Sequence, residues 1–134
     1  EISREEDELA YEEMGAALPA SLSRDEILSR MLTGGVWPFV RQRPYNVVAN
    51  PDVKPRGIFI SAFDTAPLAP DLDFSIKDGG EAFQVGLDAL SKLTDGDVHL
   101  CVGATYPAAK AFAEARGVRL HTVSGPHPAG NVGV

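Results

Sequence analysis

Apolar and polar residues alternate along this chain in blocks that predict strands and helices in turn. Three short apolar runs have the length of buried strands: residues 57–63, 98–102 and 118–123. Between the first two runs, Phe83, Leu87 and Leu90 recur at helical spacing. Between the last two, Pro107 suits the first turn of a helix that Gly117 ends. This order predicts an α/β fold, a Rossmann-like three-layer domain with a mostly parallel sheet and right-handed crossovers.

The remaining segments set the expected domain boundaries. Residues 1–20 are strongly acidic, so we interpret them as a linker or solvated helix from a preceding domain. Ser23 and Glu26 have the spacing of a capping box, which predicts a helix start. We place the Rossmann-like domain at residues 21–124. Residues 125–134 are expected to form a loop that leads to a further C-terminal domain, so the chain is expected to belong to a longer protein.

Two segments are expected to lack regular structure. Residues 36–55 carry four prolines and few strand signals apart from Val47 and Val48. Residues 64–77 hold two prolines together with turn-forming acidic residues, so they are expected to form a long loop.

The composition of the chain argues against several classes of function. The net charge is -7, from 12 basic and 19 acidic residues, which disfavours binding to nucleic acid or to an anionic membrane surface. No apolar run approaches the roughly 20 residues of a membrane-spanning helix, so no membrane insertion is expected. The single cysteine, Cys101, excludes an internal disulfide and is typical of a reducing compartment.

Motifs for catalysis, metal binding or nucleotide binding are missing. No G-x-G-x-x-G follows a strand, and Gly34-Gly35 and Gly79-Gly80 lack the required context. His99 and His121 fall within separate predicted strands, and we interpret both as structural. We therefore predict no catalytic residue, no metal site and no self-contained NAD, FAD or ATP site.

In parallel sheets, ligands bind beyond the carboxyl ends of the strands. Asp64 lies there, either as a turn-forming residue or as a polar group of an interface. His127, Pro128 and Gly130 lie in the loop GPHPAGNVG after the third strand. Because prolines flank His127, this loop is expected to be stiff. It is either a plain turn or, as we predict, a surface that packs on a neighbouring domain.

Aromatic and cationic residues are densest in one segment. We call it the platform segment, and it comprises Trp37, Pro38, Phe39, Val40, Arg41, Gln42, Arg43, Pro44 and Tyr45. It is either an ordinary loop with a buried Trp, or an apolar surface with guanidinium donors for a planar ligand or a partner. We expect it to lie over the carboxyl edge of the sheet with Trp37 and Phe39 buried. An extended backbone would place Arg41 and Arg43 on one side.

Three motifs, WPFVRQRPY, IFISAFDTAPLAPD and GPHPAGNVG, occur in this order. Together they resemble the A subunit of the Na+-translocating NADH:quinone oxidoreductase, from about Ser21 to Val134. The resemblance implies a Rossmann-like middle domain between a lipoyl-like and a β-grasp domain. It implies a peripheral cytoplasmic subunit on the inner face of the bacterial membrane, with the other subunits as partners. It also implies quinone contact near Val40 to Tyr45 during electron transfer from NADH to quinone, coupled to Na+ export.

The resemblance extends to the flavoprotein subunit of respiratory complex I, but one segment departs from it. Where those relatives have a Gly-rich loop for the flavin phosphate, this chain has Gly34-Gly35-Val36-Trp37-Pro38-Phe39. Proline removes a backbone donor and Trp fills space, so no cofactor is expected, and the domain is expected to be non-catalytic. The alternatives are a pure assembly scaffold and a stand-alone flavin- or nucleotide-binding oxidoreductase.

Overall fold

The computed structural model describes residues 13–104 and 109–130. Its helices are α1 (Arg24–Thr33), α2 (Leu72–Ser75), α3 (Gly80–Ser91) and α4 (Lys110–Ala113). Its strands are β1 (Arg41–Gln42), β2 (Val47–Val48), β3 (Ile58–Ala62), β4 (Val98–Gly103) and β5 (Arg119–Val123). Short 3-10 helices span Pro19–Ser21 and Trp37–Phe39. None of these described helices has the length and apolarity needed to cross a membrane.

A three-stranded parallel sheet forms the centre, in the order β3-β4-β5. Ile58 pairs with Val98 at the amino end of β3, and Leu100 pairs with Leu120 in the middle of the sheet. The predicted α/β class and parallel sheet are therefore confirmed. The short β1 and β2 pair antiparallel as a separate hairpin.

The two faces of the sheet differ. Val98, Leu100 and Val102 alternate on β4 with less buried residues and point toward the helices. Because side chains alternate along a strand, Phe59 and His99 lie on the opposite face, where Phe59 is 70% exposed. In the part of the chain that the structure describes, helices cover one face only. The second helical layer of a three-layer domain stays a prediction.

The core has two parts on the helical side of the sheet. Leu100, Val102 and Phe112 form one cluster, in which the Phe83 ring meets Phe112 edge-on with centroids 5.2 Å apart. The other cluster joins Ile27 of α1 to Trp37 and Leu93, with Ile58 packed against them. Since Ile58 begins β3, this second cluster lies at the amino end of the sheet.

The capping box that the sequence predicts is present at α1. The Oγ of Ser23 accepts a hydrogen bond from the Glu26 backbone N–H at 3.3 Å, and the Glu26 carboxylate accepts one from the Ser23 backbone N–H at 2.8 Å. These bonds satisfy helix N–H groups that would otherwise lack partners. The helix ends where the backbone N–H of Gly34 bonds back to Arg30.

Several boundaries differ from the sequence prediction. The expected loop 64–77 contains α2, because Asp71 caps it by accepting from the Phe74 backbone N–H. The irregular segment 36–55 forms the β1–β2 hairpin. The expected helix from Pro107 to Gly117 corresponds to α4, which ends at Ala113 because the backbone N–H of Glu114 bonds back to Lys110 and Phe112. Pro107 lies outside the described residues. The predicted acidic linker also lies largely outside them, and residues 13–18 carry neither helix nor strand.

Candidate functional site

The platform segment lies at the amino end of the sheet. Trp37 is buried to 7% exposure and packs with Ile27 and Leu93, next to Ile58 at the start of β3. Val40 packs against the same cluster. The expectation that this segment covers the carboxyl edge is wrong. The physical reason is that the cluster built on α1 draws the Trp ring toward the end of α3 and the start of β3.

Apart from Trp37 and the partly buried Val40, the platform segment is exposed. Phe39 is 84% exposed and Tyr45 is 80% exposed, so the expected burial of Trp37 is confirmed and that of Phe39 is wrong. The 3-10 helix explains the difference, because it turns neighbouring rings to different sides. Gln42, Arg43 and Pro44 are exposed too.

The two arginines of the platform segment do not share an extended backbone. Arg41 lies in β1, and its guanidinium donates to the carbonyl oxygen of Asn46 across the hairpin. Arg43 lies in the turn that connects β1 to β2. The extended conformation is therefore limited to Arg41–Gln42, and the alternation argument for placing both guanidinium groups on one side does not apply.

A cleft opens at the carboxyl edge of the sheet, as the fold predicts. Its volume is about 270 Å³. It is lined by the last residues of all three strands, by residues that follow β3 and β5, and by the start of α2: Ala62, Phe63, Asp64, Thr65, Pro70, Asp71, Leu72, Asp73, Val102, Gly103, Val123, Ser124 and Gly125. Three of these carry carboxylates, and no Lys or Arg is among them. The lining therefore presents negative charge.

Each of the three carboxylates that line the cleft also accepts a hydrogen bond from a backbone N–H group. The Oδ1 atom of Asp64 accepts from the Ala66 N–H at 2.8 Å, and that of Asp71 accepts from the Phe74 N–H at 3.0 Å. The Oδ1 of Asp73 accepts from the Ala109 N–H at 3.0 Å. Asp64 thus has the turn-forming role that the sequence left open, while it also lines the cleft.

A second cavity of about 180 Å³ adjoins the first and brings all four interface candidates together. Asp64, His127, Pro128 and Gly130 line it. The His127 Nδ1 lies 3.1 Å from the Thr65 Oγ1, within hydrogen-bond distance. Thr65 itself carries no sequence motif that would have selected it.

The loop that carries His127 folds back onto β3. Gly130 has a positive φ of 76°, and a methyl group at this position would overlap the ring of Phe63. The backbone N–H of Ala129 donates to the Pro126 carbonyl at 2.8 Å and closes the turn. The loop therefore contacts its own domain through Phe63 and Thr65. Its packing on a neighbouring domain stays a prediction, and residues 131–134 lie outside the described residues.

Sequence patterns alone did not pair His99 with His121, but in the structure their rings lie within hydrogen-bond distance. The Nδ1 of His99 lies 2.9 Å from the Nε2 of His121. Parallel register is the signal that could have found the pair, since His99 pairs with Arg119, two residues before His121. Among the described residues, no group of three or more His, Cys, Asp or Glu side chains is placed to hold a metal ion.

Comparison with known proteins gives a consistent result. A family model described as "NqrA second alpha/beta domain" matches residues 22–134. The A subunit of the Na(+)-translocating NADH-quinone reductase of Alcanivorax borkumensis is 40% identical over 133 residues, which cover 99% of this chain and 29% of that protein. The same subunit of Yersinia pseudotuberculosis is 38% identical over 96% of this chain and 28% of its own length, and that of Neisseria meningitidis 36% over 92% and 27%. The chain thus spans less than a third of these relatives.

Proposed function

The chain belongs to the family of the NqrA second alpha/beta domain, and from this membership we propose that it is a non-catalytic domain of the A subunit of a Na+-translocating NADH-quinone reductase. In this proposal it is peripheral on the cytoplasmic face of the membrane. It supports the transfer of electrons from NADH to quinone and the coupled export of Na+ by holding its own subunit to the others.

The exposed side chains of the platform segment are the structural observation that supports a docking role. Phe39 and Tyr45 expose 84% and 80% of their surface, and Arg41 and Arg43 stand beside them in a chain of net charge -7. Aromatic residues and Arg are enriched at protein interfaces, and here two exposed rings and two arginines occur within seven residues. We therefore assign the β1–β2 hairpin as a docking surface for a partner subunit with acidic and apolar groups.

Quinone contact is the second candidate for the same surface. The aromatic rings offer apolar walls, and Arg43 offers guanidinium donors for a quinone carbonyl. A small-molecule site buries most of its ligand, whereas these side chains are exposed. In this proposal a quinone would therefore bind between the hairpin and another subunit, and docking would precede quinone binding.

We also propose that the fold is related to the flavoprotein subunit of complex I and has lost its flavin site. Two observations support the loss of the site. The segment at the place of the flavin loop is a 3-10 helix with Trp37 packed into the core. The cleft at the carboxyl edge presents Asp64, Asp71 and Asp73, which disfavour a phosphate group electrostatically.

Paired charge removal on the hairpin tests the docking role in the assembled complex. The A subunit carrying Arg41→Ala with Arg43→Ala is expressed with the other subunits, and the purified complex is assayed for its subunits and for quinone reduction. The docking role predicts that the A subunit is lost from the complex. A quinone role alone predicts an intact complex with weaker quinone affinity.

Lys110→Ala with Arg116→Ala is the matched control, because it removes the same charge from the surface around α4. This control should retain both assembly and activity. If the hairpin variant also retains both, the platform segment is structural only and the docking proposal fails.

A further inference from the structure

Two histidine rings meet on the open face of the sheet, on neighbouring strands. His99 comes from β4 and His121 from β5, with 2.9 Å between the Nδ1 of the first and the Nε2 of the second. Their ring centroids are 5.1 Å apart. His121 is exposed and His99 is partly exposed, so solutes reach the pair. This pair is separate from the platform segment and from the carboxyl-edge cleft.

The separation of these nitrogens suits a shared metal ion. Imidazole nitrogens bind Zn2+ and similar ions at about 2.0–2.1 Å. Two such bonds that meet at about 90–110° hold their nitrogens about 2.9–3.4 Å apart. The observed distance lies at the lower end of this range. Without a metal this distance is that of a hydrogen bond from a protonated ring nitrogen to an unprotonated one, and metal binding would displace that proton and free both lone pairs.

Neighbouring residues orient the His99 ring and neutralise the charge of Arg119, the nearest cation. The Phe59 ring stacks on His99 with centroids 4.4 Å apart and an angle of 8° between the planes, which fixes the orientation of the imidazole. Gly57 leaves this part of the His99 ring uncovered, since a Cβ there would lie 3.8 Å from the Nε2, in van der Waals contact. Arg119 is the strand partner of His99, and its Nε lies 2.8 Å from a carboxylate oxygen of Asp97. That ion pair lowers the electrostatic cost of a second cation nearby.

We propose that His99 and His121 form a two-nitrogen site for a borderline divalent metal ion such as Ni2+ or Zn2+. Imidazole is a favoured ligand of both ions, and water completes the coordination. Cys101 lies on the same face and pairs with His121 in the register, but the described residues contain no group of three His, Cys, Asp or Glu side chains placed around one ion, so we assign two protein ligands. With two protein ligands the site is open and exchangeable. It would cross-link β4 to β5, and it is independent of the docking role.

Ni2+ titration of the chain tests the proposal. Ni2+ is preferable to Cu2+ as the probe because Cu2+ also oxidises thiols. Calorimetry should show one Ni2+ per chain, and His99→Gln or His121→Gln should each weaken binding at least about tenfold. His127→Gln is the matched control, because it removes the third histidine, which contacts Thr65 in a different part of the fold, and it should leave the affinity unchanged.

A second measurement covers the case in which a variant fails to fold. In the wild-type chain, paramagnetic Ni2+ should broaden the ring proton signals of two histidines and leave the third sharp. Saturating Ni2+ should also raise the Tm by at least about 5 °C, since a ligand that binds only the folded state stabilises it. Absence of saturable binding overturns the proposal. So does binding that the His127 variant loses and the other two retain.

Discussion

The indole Nε1 of Trp37 donates a hydrogen bond of 2.8 Å to the carbonyl oxygen of Ala49. Ala49 directly follows β2, so this bond ties the end of the hairpin to a buried ring. The same ring packs against Ile27 and Leu93. A large movement of the proposed docking surface would therefore require Trp37 to leave the core or to break its hydrogen bond with Ala49.

Substitutions of Trp37 should separate its packing from its hydrogen bond. Trp37→Phe keeps an aromatic ring but leaves the Ala49 carbonyl without this donor, so we expect a loss of about 1 kcal/mol in the free energy of unfolding. Trp37→Ala should cost about 3–5 kcal/mol because it also empties part of the core. Urea unfolding followed by circular dichroism measures both. Phe39→Ala, at an exposed ring, should change the value by no more than about 0.5 kcal/mol.

The sequence predicted what depends on local patterns. The strands β3, β4 and β5 follow from short apolar runs, and their parallel order follows from the intervening helices. The capping box at Ser23 and Glu26 was correct because both of its hydrogen bonds form within four residues. At these positions the local preference and the tertiary structure agree.

The errors arose where distant residues decide the structure. Nothing near Phe39 in the sequence shows that the 3-10 helix leaves it outside while Trp37 enters the core. The direction of the platform segment is set by Ile27 and Leu93, from two other helical regions. The contact between Thr65 and His127 joins residues 62 positions apart, and it depends on how the final loop folds over Phe63.

The capping box should make part of the stability depend on pH. Hydrogen bonds from the backbone N–H and the hydroxyl of Ser23 hold the pKa of Glu26 below its ordinary value. A lowered folded-state pKa contributes stability above the unfolded pKa and loses it as pH falls through the folded pKa. Glu26→Gln keeps an acceptor without the charge. Its deficit relative to wild type in urea unfolding should be present at neutral pH and shrink in acid below the ordinary glutamate range. A deficit that stays constant through that range would show that ionisation is irrelevant.

Two glycines should respond to alanine with opposite signs. A methyl group at Gly96 would overlap the carbonyl oxygen of Arg56, which is backbone and cannot rotate away. Gly96→Ala should therefore lower the free energy of unfolding by about 1–3 kcal/mol. Gly86 lies within α3, and a methyl group added there would have no atom within 4 Å apart from its chain neighbours and the adjacent backbone of its own helix, so Gly86→Ala should raise the free energy of unfolding by about 0.5–1 kcal/mol. Thermal unfolding of the two variants checks both signs. A destabilised Gly86 variant would mean that α3 packs against something in that space.

The purified chain should be colourless and should bind neither FMN nor NADH at micromolar concentration. The carboxyl-edge cleft is where an α/β fold would hold such a ligand, but its side chains include Asp64, Asp71 and Asp73 and no cation. Charge alone does not account for the expected failure, because a phosphate also needs a cluster of free backbone N–H groups, and the segment at the place of the flavin loop lies around Trp37 at the amino end of the sheet, away from this cleft. The variant Asp64→Asn with Asp71→Asn separates the two causes, since Asn can retain the acceptor role of each side chain toward the backbone. Calorimetric titration with FMN should show no saturable binding by either protein. Binding by the variant alone would assign the loss to charge, whereas tight binding by the wild-type chain would show that the flavin site survives and that the domain carries a cofactor.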